Sequence, residues 1–255
     1  ISGLRPVKRV NDMLSEGMKK AEIFKAMESR YLCSDEKCDI AYKTAITQKP
    51  VLDELEKDSF SLYVSVPFCP TRCSYCSFVS QSIEGCMKLI PEYVNKLCEE
   101  IVYTAKITEK LGLKLVTVYF GGGTPTTRIA AQLDRVMKVI ANNFDMSTVR
   151  EYTVEAGRPD TITEEKLKVL KANGCGRVSI NPQTLNDSVL EAIGRKHTTA
   201  QFFDSFDLAR KVGFDSINTD IIAGLPTDTV ESFENTIDKL IELAPENITV
   251  HTLSI

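Results

Sequence analysis

The stretch Leu62-Tyr-Val-Ser-Val-Pro-Phe-Cys69-Pro-Thr-Arg-Cys73-Ser-Tyr-Cys76 joins an apolar run to three closely spaced cysteines. The apolar run predicts a buried strand over residues 62–66, so the cysteines lie on the loop that leaves it. Three thiolates can hold three irons of a cubane iron–sulfur cluster. No fourth cysteine follows at similar spacing, which leaves the fourth iron open to a small ligand. Structural zinc is the alternative, although zinc sites usually combine two ligand pairs or use histidine partners.

Length, charge and cysteine content limit the class of protein. A chain of 255 residues is long enough to bury a substantial core in one barrel-like domain. Its formal net charge of −4 argues against a nucleic-acid-binding surface, which would be basic and clustered. No run approaches the ~20 apolar residues of a membrane span. Eight cysteines without a secretory signal indicate reduced thiols and a cytoplasmic location. Because the chain begins at Ile1 rather than Met, we expect it to be part of a longer protein.

The order of the predicted elements indicates an α/β fold. Residues 1–58 form a mainly helical segment, with Val10, Leu14 and Met18 at helical spacing, which Lys49-Pro50 and the charged residues after it bring to an end. From residue 59 to residue 255, strands alternate with helices. The predicted strands cover residues 62–66, 115–120, 150–156, 176–181, 216–223 and 247–254. The predicted helices cover residues 93–107, 131–142, a stretch that begins at Thr163, 187–193, 200–212 and 230–243.

Six strands alternating with helices predict parallel βαβ units with right-handed crossovers. A closed eight-fold barrel would need two more units, so an open six-unit barrel or a doubly wound sheet fits the count. Both folds place the chemistry at the carboxyl ends of the strands. The unusual motifs all fall there, and they are the cysteine loop, Gly121-Gly-Gly-Thr-Pro125, Glu155, Asn181-Pro-Gln183, Asp220 and Gly224-Leu-Pro226.

Each of these motifs has a plainer interpretation when it is taken alone. A run of glycines allows close approach of the backbone to a ligand, but such runs are often only tight turns. An aspartate such as Asp220 commonly caps a helix terminus. Arg195 could equally lie at a solvated helix end. The argument for a site is therefore that the motifs converge on one rim of the predicted sheet.

Together the motifs resemble those of radical S-adenosylmethionine (radical SAM) enzymes, and among these the oxygen-independent coproporphyrinogen III oxidase family. The matching segments are Tyr63-Val-Ser-Val-Pro-Phe-Cys69 with the following cysteines, Tyr119-Phe-Gly-Gly-Gly-Thr-Pro-Thr126, Tyr152-Thr-Val-Glu155, Asn181-Pro-Gln183, Gly194-Arg195 and Asn218-Thr-Asp-Ile-Ile-Ala-Gly-Leu-Pro226. Within that family, Glu155-Ala-Gly-Arg-Pro159 and Ser179-Ile-Asn-Pro-Gln183 most resemble the HemZ branch, a proposed coproporphyrinogen dehydrogenase.

The resemblance implies a partial (β/α)6 TIM-like barrel of the radical SAM type, preceded by the helical segment. It implies that Cys69, Cys73 and Cys76 hold a [4Fe–4S] cluster whose open iron binds S-adenosylmethionine, and it disfavours zinc. In this family a 5′-deoxyadenosyl radical removes hydrogen from a propionate side chain, and loss of carbon dioxide and one electron leaves a vinyl group, a step of porphyrin and haem biosynthesis. Residues at positions of cofactor contact are Tyr75, Gly122, Gly123, Thr124, Glu155, Gln183, Arg195 and Asp220.

A second cofactor molecule is also implied, near Tyr63 and Leu253, although a strand tyrosine packs equally well in a core. The sequence departs from the family pattern at Phe78, at Asn181-Pro182 and at Gly157-Arg158, which bears on substrate and second-cofactor geometry. Neither histidine is a strong catalytic candidate. His197 follows a helix-end pattern, where a cation would complement the helix dipole, and His251 lies in the last strand. No catalytic residue is assigned beyond the cluster and cofactor contacts.

The resemblance leaves three functions open. The first is the oxidase, the second is a haem-binding chaperone, and the third is a relative that degrades haem anaerobically by radical chemistry. We expect the C-terminal region that builds a substrate lid in this family to lie outside the chain, so the fragment alone could be inactive. The expected partners are a porphyrinogen or haem-like substrate and a reductant for the cluster.

Overall fold

The computed structural model describes residues 5–78 and 80–253. The chain forms two compact units, one up to Ser59 and one from Phe60 onward. None of the helices in the described part of the chain is both long enough and apolar enough to cross a lipid bilayer.

Three helices make up the first unit, and they are α1 Pro6–Ser15, α2 Lys20–Tyr31 and α3 Asp35–Asp53. Val10 and Met27 lie in the small core that the helices enclose, and each is at most 1 % exposed. Leu14 and Met18, which the spacing also placed on the apolar face, are partly buried against this core.

The third helix ends later than the sequence suggests. α3 contains Pro50 and continues to Asp53. A proline within a helix removes the hydrogen bond that its N–H would make one turn earlier. Pro50 lies in the last turn of α3, so only one hydrogen bond near the end of the helix is lost and the helix continues to Asp53.

The second unit is built from strands that alternate with helices. Its strands are β1 Ser59–Val66, β2 Phe68–Cys69, β3 Gln81–Ser82, β4 Lys114–Gly122, β5 Glu151–Glu155, β6 Arg177–Ser179, β7 Ser216–Ala223 and β8 Asn247–Thr252. Its helices are α4 Ile83–Cys86, α5 Ile90–Lys110, α6 Ala130–Asn143, α7 Glu164–Ala172, α8 Asp187–Ala192, α9 Thr199–Val212 and α10 Val230–Leu243.

The large sheet has six strands in the order β1-β4-β5-β6-β7-β8. The pairings from β4 to β8 are all parallel. Because the spatial order follows the chain order, each new strand is added on the same side, as in a barrel wall. A doubly wound sheet would reverse direction at a switch point. The partial (β/α)6 barrel is therefore confirmed, and the doubly wound alternative is wrong.

Several strand bounds differ from the prediction. β6 covers only Arg177–Ser179, shorter than the predicted 176–181. The chain continues beside β7, where Gln183, with a left-handed backbone, makes an isolated parallel bridge to Ile221. The pair β2 and β3 was not predicted. Each of these strands has two residues, too few for hydrophobic alternation to show in a sequence.

A hydrophobic core fills the space between the sheet and the helices. Its buried members include Val64, Val118, Phe120, Val154, Val178 and Ile217 from the strands, and Val94, Leu97, Leu133, Ile140, Leu167, Phe202 and Leu240 from the helices. Such burial is worth about 1.5–3 kcal/mol for each large apolar side chain. It holds the strands in register, so that their carboxyl ends meet at one rim.

The end of β4 lies very close to the segment that leads into the cysteines. The Gly123 N–H donates to the Val66 carbonyl at 2.6 Å, and the Thr124 N–H donates to the Phe68 carbonyl at 2.7 Å. A Cβ atom on Gly123 would lie 2.5 Å from the Phe68 oxygen. The glycines therefore make room first for the protein's own backbone.

We expect Gly123→Ala to lower the free energy of unfolding by about 1–3 kcal/mol, because the added methyl forces apart two hydrogen-bonded backbones. Urea unfolding followed by circular dichroism measures the change. Gly176→Ala is the matched control, since a Cβ atom there meets nothing within 4 Å. We expect that variant to stay within about 0.5 kcal/mol of the parent protein. Equal stability of the two variants would contradict the close-approach argument.

Candidate functional site

A cavity of about 680 Å³ opens at the carboxyl ends of the strands. It brings together almost all the residues that the sequence analysis singled out. Those that line it are Cys69, Cys73, Tyr75, Cys76, Gly122, Gly123, Thr124, Glu155, Gln183, Arg195, Asp220 and Leu253. Tyr63 does not line the cavity, but its ring stacks on that of Tyr119, which does, with centroids 5.7 Å apart.

The three cysteines are free, half-buried thiols on one side of this cavity. Cys69 ends β2, which pairs in parallel with β3 and so closes the base of the loop. The hydroxyl of Thr124 lies 3.5 Å from Cys69 Sγ, and the Cys76 N–H donates to the Cys73 carbonyl at 3.1 Å. The loop thus presents its thiols to the cavity.

Among residues 5–78 and 80–253, no three His, Cys, Asp or Glu side chains lie close enough together to hold a single metal ion. Zinc takes its ligands around one ion, whereas a cubane cluster takes each of its cysteines on a different iron.

Two hydrogen bonds to backbone carbonyls hold the cysteine loop against the segment after α8. The Thr71 hydroxyl donates to the Gly194 carbonyl at 3.0 Å, and the Ser74 N–H donates to the Ile193 carbonyl at 3.0 Å. These contacts link residues more than a hundred positions apart. They hold the thiols opposite the ends of the later strands.

The acidic wall of the cavity is formed by Glu155 and Asp220. Glu155 accepts a short hydrogen bond from the hydroxyl of Tyr119. Burial raises the pKa of Glu155, the Tyr119 hydrogen bond lowers it, and the charge of Asp220 raises it again. The net direction is upward, because a carboxylate loses hydration when it is enclosed.

Asp220 belongs to a polar network rather than to a helix cap, which excludes the plainer interpretation. Asn218 Nδ2 donates to Asp220 Oδ1 at 2.8 Å and to Ser179 Oγ at 2.7 Å. The Asp220 N–H donates to Asn181 Oδ1 at 3.2 Å. His251 Nε2 lies 3.8 Å from Asp220 Oδ2. The amides orient the carboxylate from the floor of the cavity.

Arg195 is buried and only partly satisfied. Arg195 is 6 % exposed, and its Nη2 atom donates to the Gly157 carbonyl at 2.7 Å. Its Nε and Nη1 atoms have no hydrogen-bond partner in the described structure. The alternative of a solvated helix end is therefore wrong. Buried donors without partners are rare, and a guanidinium with two free N–H groups is suited to a carboxylate ligand.

His197 differs from its predicted environment. It is 2 % exposed, and burial, followed by the charges of Arg195 and Arg158, lowers its pKa to about 3. The imidazole is therefore neutral at neutral pH and cannot serve as a cation at a helix end. Its surroundings come from the tertiary fold and leave no trace in the local sequence.

Gln183 lies next to Asp220, whereas Tyr75 and Leu253 complete the cavity on its apolar side. Gln183 has a left-handed backbone with φ of 67°, and its N–H donates to the Asp220 carbonyl at 3.0 Å. Its buried Oε1 atom has no partner in the described structure. Tyr75 and Leu253 pack against an apolar cluster that includes Ile193 and Ile222. This side is the less polar part of the cavity.

Several cavity residues were not assigned a role from the sequence, among them Tyr119, Arg158 and Asn218. Asn218 could have been found, because it lies two positions before Asp220 and strand alternation puts both on one face. Tyr119 lies within the glycine motif and reaches Glu155 on the neighbouring strand. Arg158 has no comparable local signal, since its position depends on the fold of the turn after β5.

Comparison with known proteins agrees with this site. The sequence model of the radical SAM superfamily matches residues 63–240. The oxygen-independent coproporphyrinogen-III oxidase-like protein HemZ of Bacillus subtilis (strain 168) is 38 % identical over 257 residues, which cover 100 % of this chain and 51 % of the relative. The heme chaperone HemW of the same organism is 38 % identical over 76 % of this chain and 50 % of the relative.

A solved structure shares the fold. Coproporphyrinogen III oxidase (HemN) from Escherichia coli, described as a radical SAM enzyme, superimposes with a TM-score of 0.71 at 32 % identity, covering 83 % of this chain and 47 % of that one. The chain spans about half the length of the curated relatives that it matches. With the superfamily model matching most of the chain, and with the cysteine loop at the strand ends of a partial barrel, the chain belongs to the radical SAM superfamily.

Proposed function

We propose that this protein is a radical SAM enzyme of porphyrin metabolism that decarboxylates the propionates of coproporphyrinogen III oxidatively, without oxygen, to vinyl groups. The cavity that unites three thiols, a buried guanidinium with two nitrogens lacking a partner, and two carboxylates supports the radical SAM part of this proposal. The substrate rests on the similarity to the HemZ relative across the whole chain and to the HemN structure.

The residues present fit the two cofactors of this superfamily. Cys69, Cys73 and Cys76 would hold a [4Fe–4S] cluster through their thiolates. Glu155 would accept from the ammonium of S-adenosylmethionine, and the free N–H groups of Arg195 would bind its carboxylate. When bound, the pair would supply a 5′-deoxyadenosyl radical able to remove hydrogen from an unactivated carbon. The protein supplies position and exclusion of water.

The remaining residues orient the cofactor. Gly122 and Gly123 line the cavity without side-chain bulk, and the Thr124 hydroxyl lies beside Cys69 Sγ. Asp220, held by Asn218, would accept from ribose hydroxyls, and the unpaired Oε1 of Gln183 is a second acceptor on the same side. Tyr75 would cover the adenine from the apolar side of the cavity.

A second cofactor molecule would lie toward Tyr63 and Leu253. Tyr63 is 55 % exposed and stacked on Tyr119 with an interplanar angle of 11°. An exposed stacked ring suits contact with a planar or cationic group more than a place in the core. We propose these two residues as the outer part of the site.

The location and domain organisation belong to the same proposal. All eight cysteines are free, as a reducing compartment requires, and we propose a cytoplasmic location with a one-electron reductant as partner. We assign the radical SAM core to residues 59–255 and regard residues 1–58 as a separate helical segment.

A haem chaperone is the second candidate function. The HemW relative is as similar in identity as HemZ, although the match covers 76 % of this chain instead of 100 %. The wider match, which includes the residues before the barrel, favours the HemZ-like activity. Catalytic turnover separates the two functions.

We expect anaerobic reconstitution to load about four irons per chain, as a cubane requires. Cys69→Ala should abolish the visible thiolate-to-iron absorbance, because one of three protein ligands is lost. Iron analysis and absorption spectra measure both effects. Cys86→Ala is the control, since this half-buried thiol does not line the cavity and its loss should leave the spectrum unchanged. An unchanged band in Cys69→Ala would contradict the ligand assignment.

We expect Arg195→Lys to weaken binding of S-adenosylmethionine to the reconstituted protein about 10- to 100-fold, because hydrogen bonds to a charged group are each worth about 1.5–3 kcal/mol. Equilibrium dialysis measures the affinity. Arg177→Lys provides the comparison, because Arg177 lies in the same cavity but pairs with Glu151 at 3.7 Å. Equal affinity in the two variants would show that Arg195 does not bind the cofactor carboxylate.

For the full-length protein with dithionite and S-adenosylmethionine, we expect formation of 5′-deoxyadenosine and conversion of coproporphyrinogen to protoporphyrinogen. Liquid chromatography with mass detection follows both products. Omission of the reductant is the control and should give neither product. Tight haem binding without any turnover of coproporphyrinogen would reject the oxidase and favour the chaperone.

A further inference from the structure

Arg158 is a buried cation whose role the proposed function does not yet use. The residue lies on the turn after β5 and is 3 % exposed. Its guanidinium makes a two-point ion pair with Asp160, from Nε to Oδ1 and from Nη2 to Oδ2, both at 3.0 Å. A bidentate pair of this kind fixes the plane of the guanidinium.

The remaining nitrogen of Arg158 points at the cysteine loop. Nη1 lies 3.1 Å from Thr71 Oγ1, 3.4 Å from the Thr71 carbonyl oxygen and 3.9 Å from Cys73 Sγ. The last distance is within the range of a hydrogen bond to sulfur. The ion pair with Asp160 therefore directs the Nη1 donor of Arg158 toward Cys73, a thiol proposed to bind iron.

The same turn also contacts the proposed cofactor-binding arginine. The carbonyl of Gly157 accepts from Arg195 Nη2 at 2.7 Å. The Thr71 hydroxyl, which contacts Arg158, donates to the Gly194 carbonyl at 3.0 Å. Asp160 and Thr71 thus hold the Arg158 guanidinium in place, so the fold sets its distance from Cys73.

We propose that Arg158 is a positioning residue that raises the reduction potential of the cluster on Cys69, Cys73 and Cys76 by donating to Cys73 Sγ, with Asp160 limiting the effect. This inference rests on the proposed function, because it requires the cluster. One-electron reduction adds negative charge to the cluster and its thiolates. A hydrogen-bond donor and a fixed positive charge stabilise that form, and such contacts around ligand sulfurs tune these potentials.

Substitution of the two members of the ion pair should shift the reduction potential of the cluster in opposite directions. Arg158→Gln removes the charge and the fixed donor, while its amide keeps a group able to bond Thr71. Asp160→Asn leaves the guanidinium in place without its compensating carboxylate. A purely structural role for the turn would shift the potential in the same direction in both variants, or not at all.

The test is an anaerobic redox titration of the reconstituted full-length protein without S-adenosylmethionine, with dithionite as reductant and electron paramagnetic resonance as the readout. At a fixed potential, we expect the ratio of reduced to oxidised cluster to fall about tenfold in Arg158→Gln, which is about 59 mV for one electron. We expect that ratio to rise in Asp160→Asn. Both shifts are visible without any turnover.

Arg210→Gln is the matched control, because Arg210 also joins an ion pair, with Glu246 at 2.8 Å, and contacts backbone carbonyls, but lies outside the cavity. Its potential should equal that of the parent protein. If Arg158→Gln does not take up iron, Arg158→Lys and Asp160→Asn decide the question. Equal potentials in all the loaded variants, or shifts of one sign, overturn the inference. Failure of the parent protein to load a cluster overturns the proposed function as well.

Discussion

Two main-chain hydrogen bonds, from Gly123 to Val66 and from Thr124 to Phe68, determine where the site lies in this protein. They join the end of β4 to the segment that enters the cysteine loop, at a separation that no side chain at position 123 would allow. Because β5, β6 and β7 follow β4 in register, the groups at their ends take positions relative to this junction. The distance between the thiols and the carboxylates is therefore a property of the backbone.

The cavity also concentrates charge in a way that a stability argument alone would not produce. Burying an ion costs free energy unless the ion is paired and hydrogen-bonded. Arg158 meets that condition through Asp160, and Asp220 meets it through Asn218. Arg195 does not, since two of its nitrogens have no partner in the described residues. An unsatisfied guanidinium among satisfied neighbours marks the point at which a bound anion would contribute most.

The sequence is most informative where local signals coincide. β7 and α10 have the predicted bounds, because an apolar run ends at Gly224 and Thr229 caps the helix that follows. The cysteines and the glycine motif could be found because their chemistry is carried by neighbouring residues. The surroundings of His197 and Arg158 could not, since they depend on groups far away in the chain. Pro50 shows the limit of breaker rules, because a proline in the last turn does not end a helix.

The order of the sheet has a practical consequence for handling this protein. In the part of the chain that the structure describes, β8 is an edge strand with β7 as its one neighbour, and Val250 on it is 51 % exposed. An edge strand offers backbone groups that can pair with another molecule, and charged side chains on such strands suppress this. Concentrated samples of this stretch are therefore open to intermolecular strand addition. Val250→Lys would place a charge on this edge and suppress such pairing. β8 stands at the opposite end of the strand order from β1, the strand that leads into the cysteine loop.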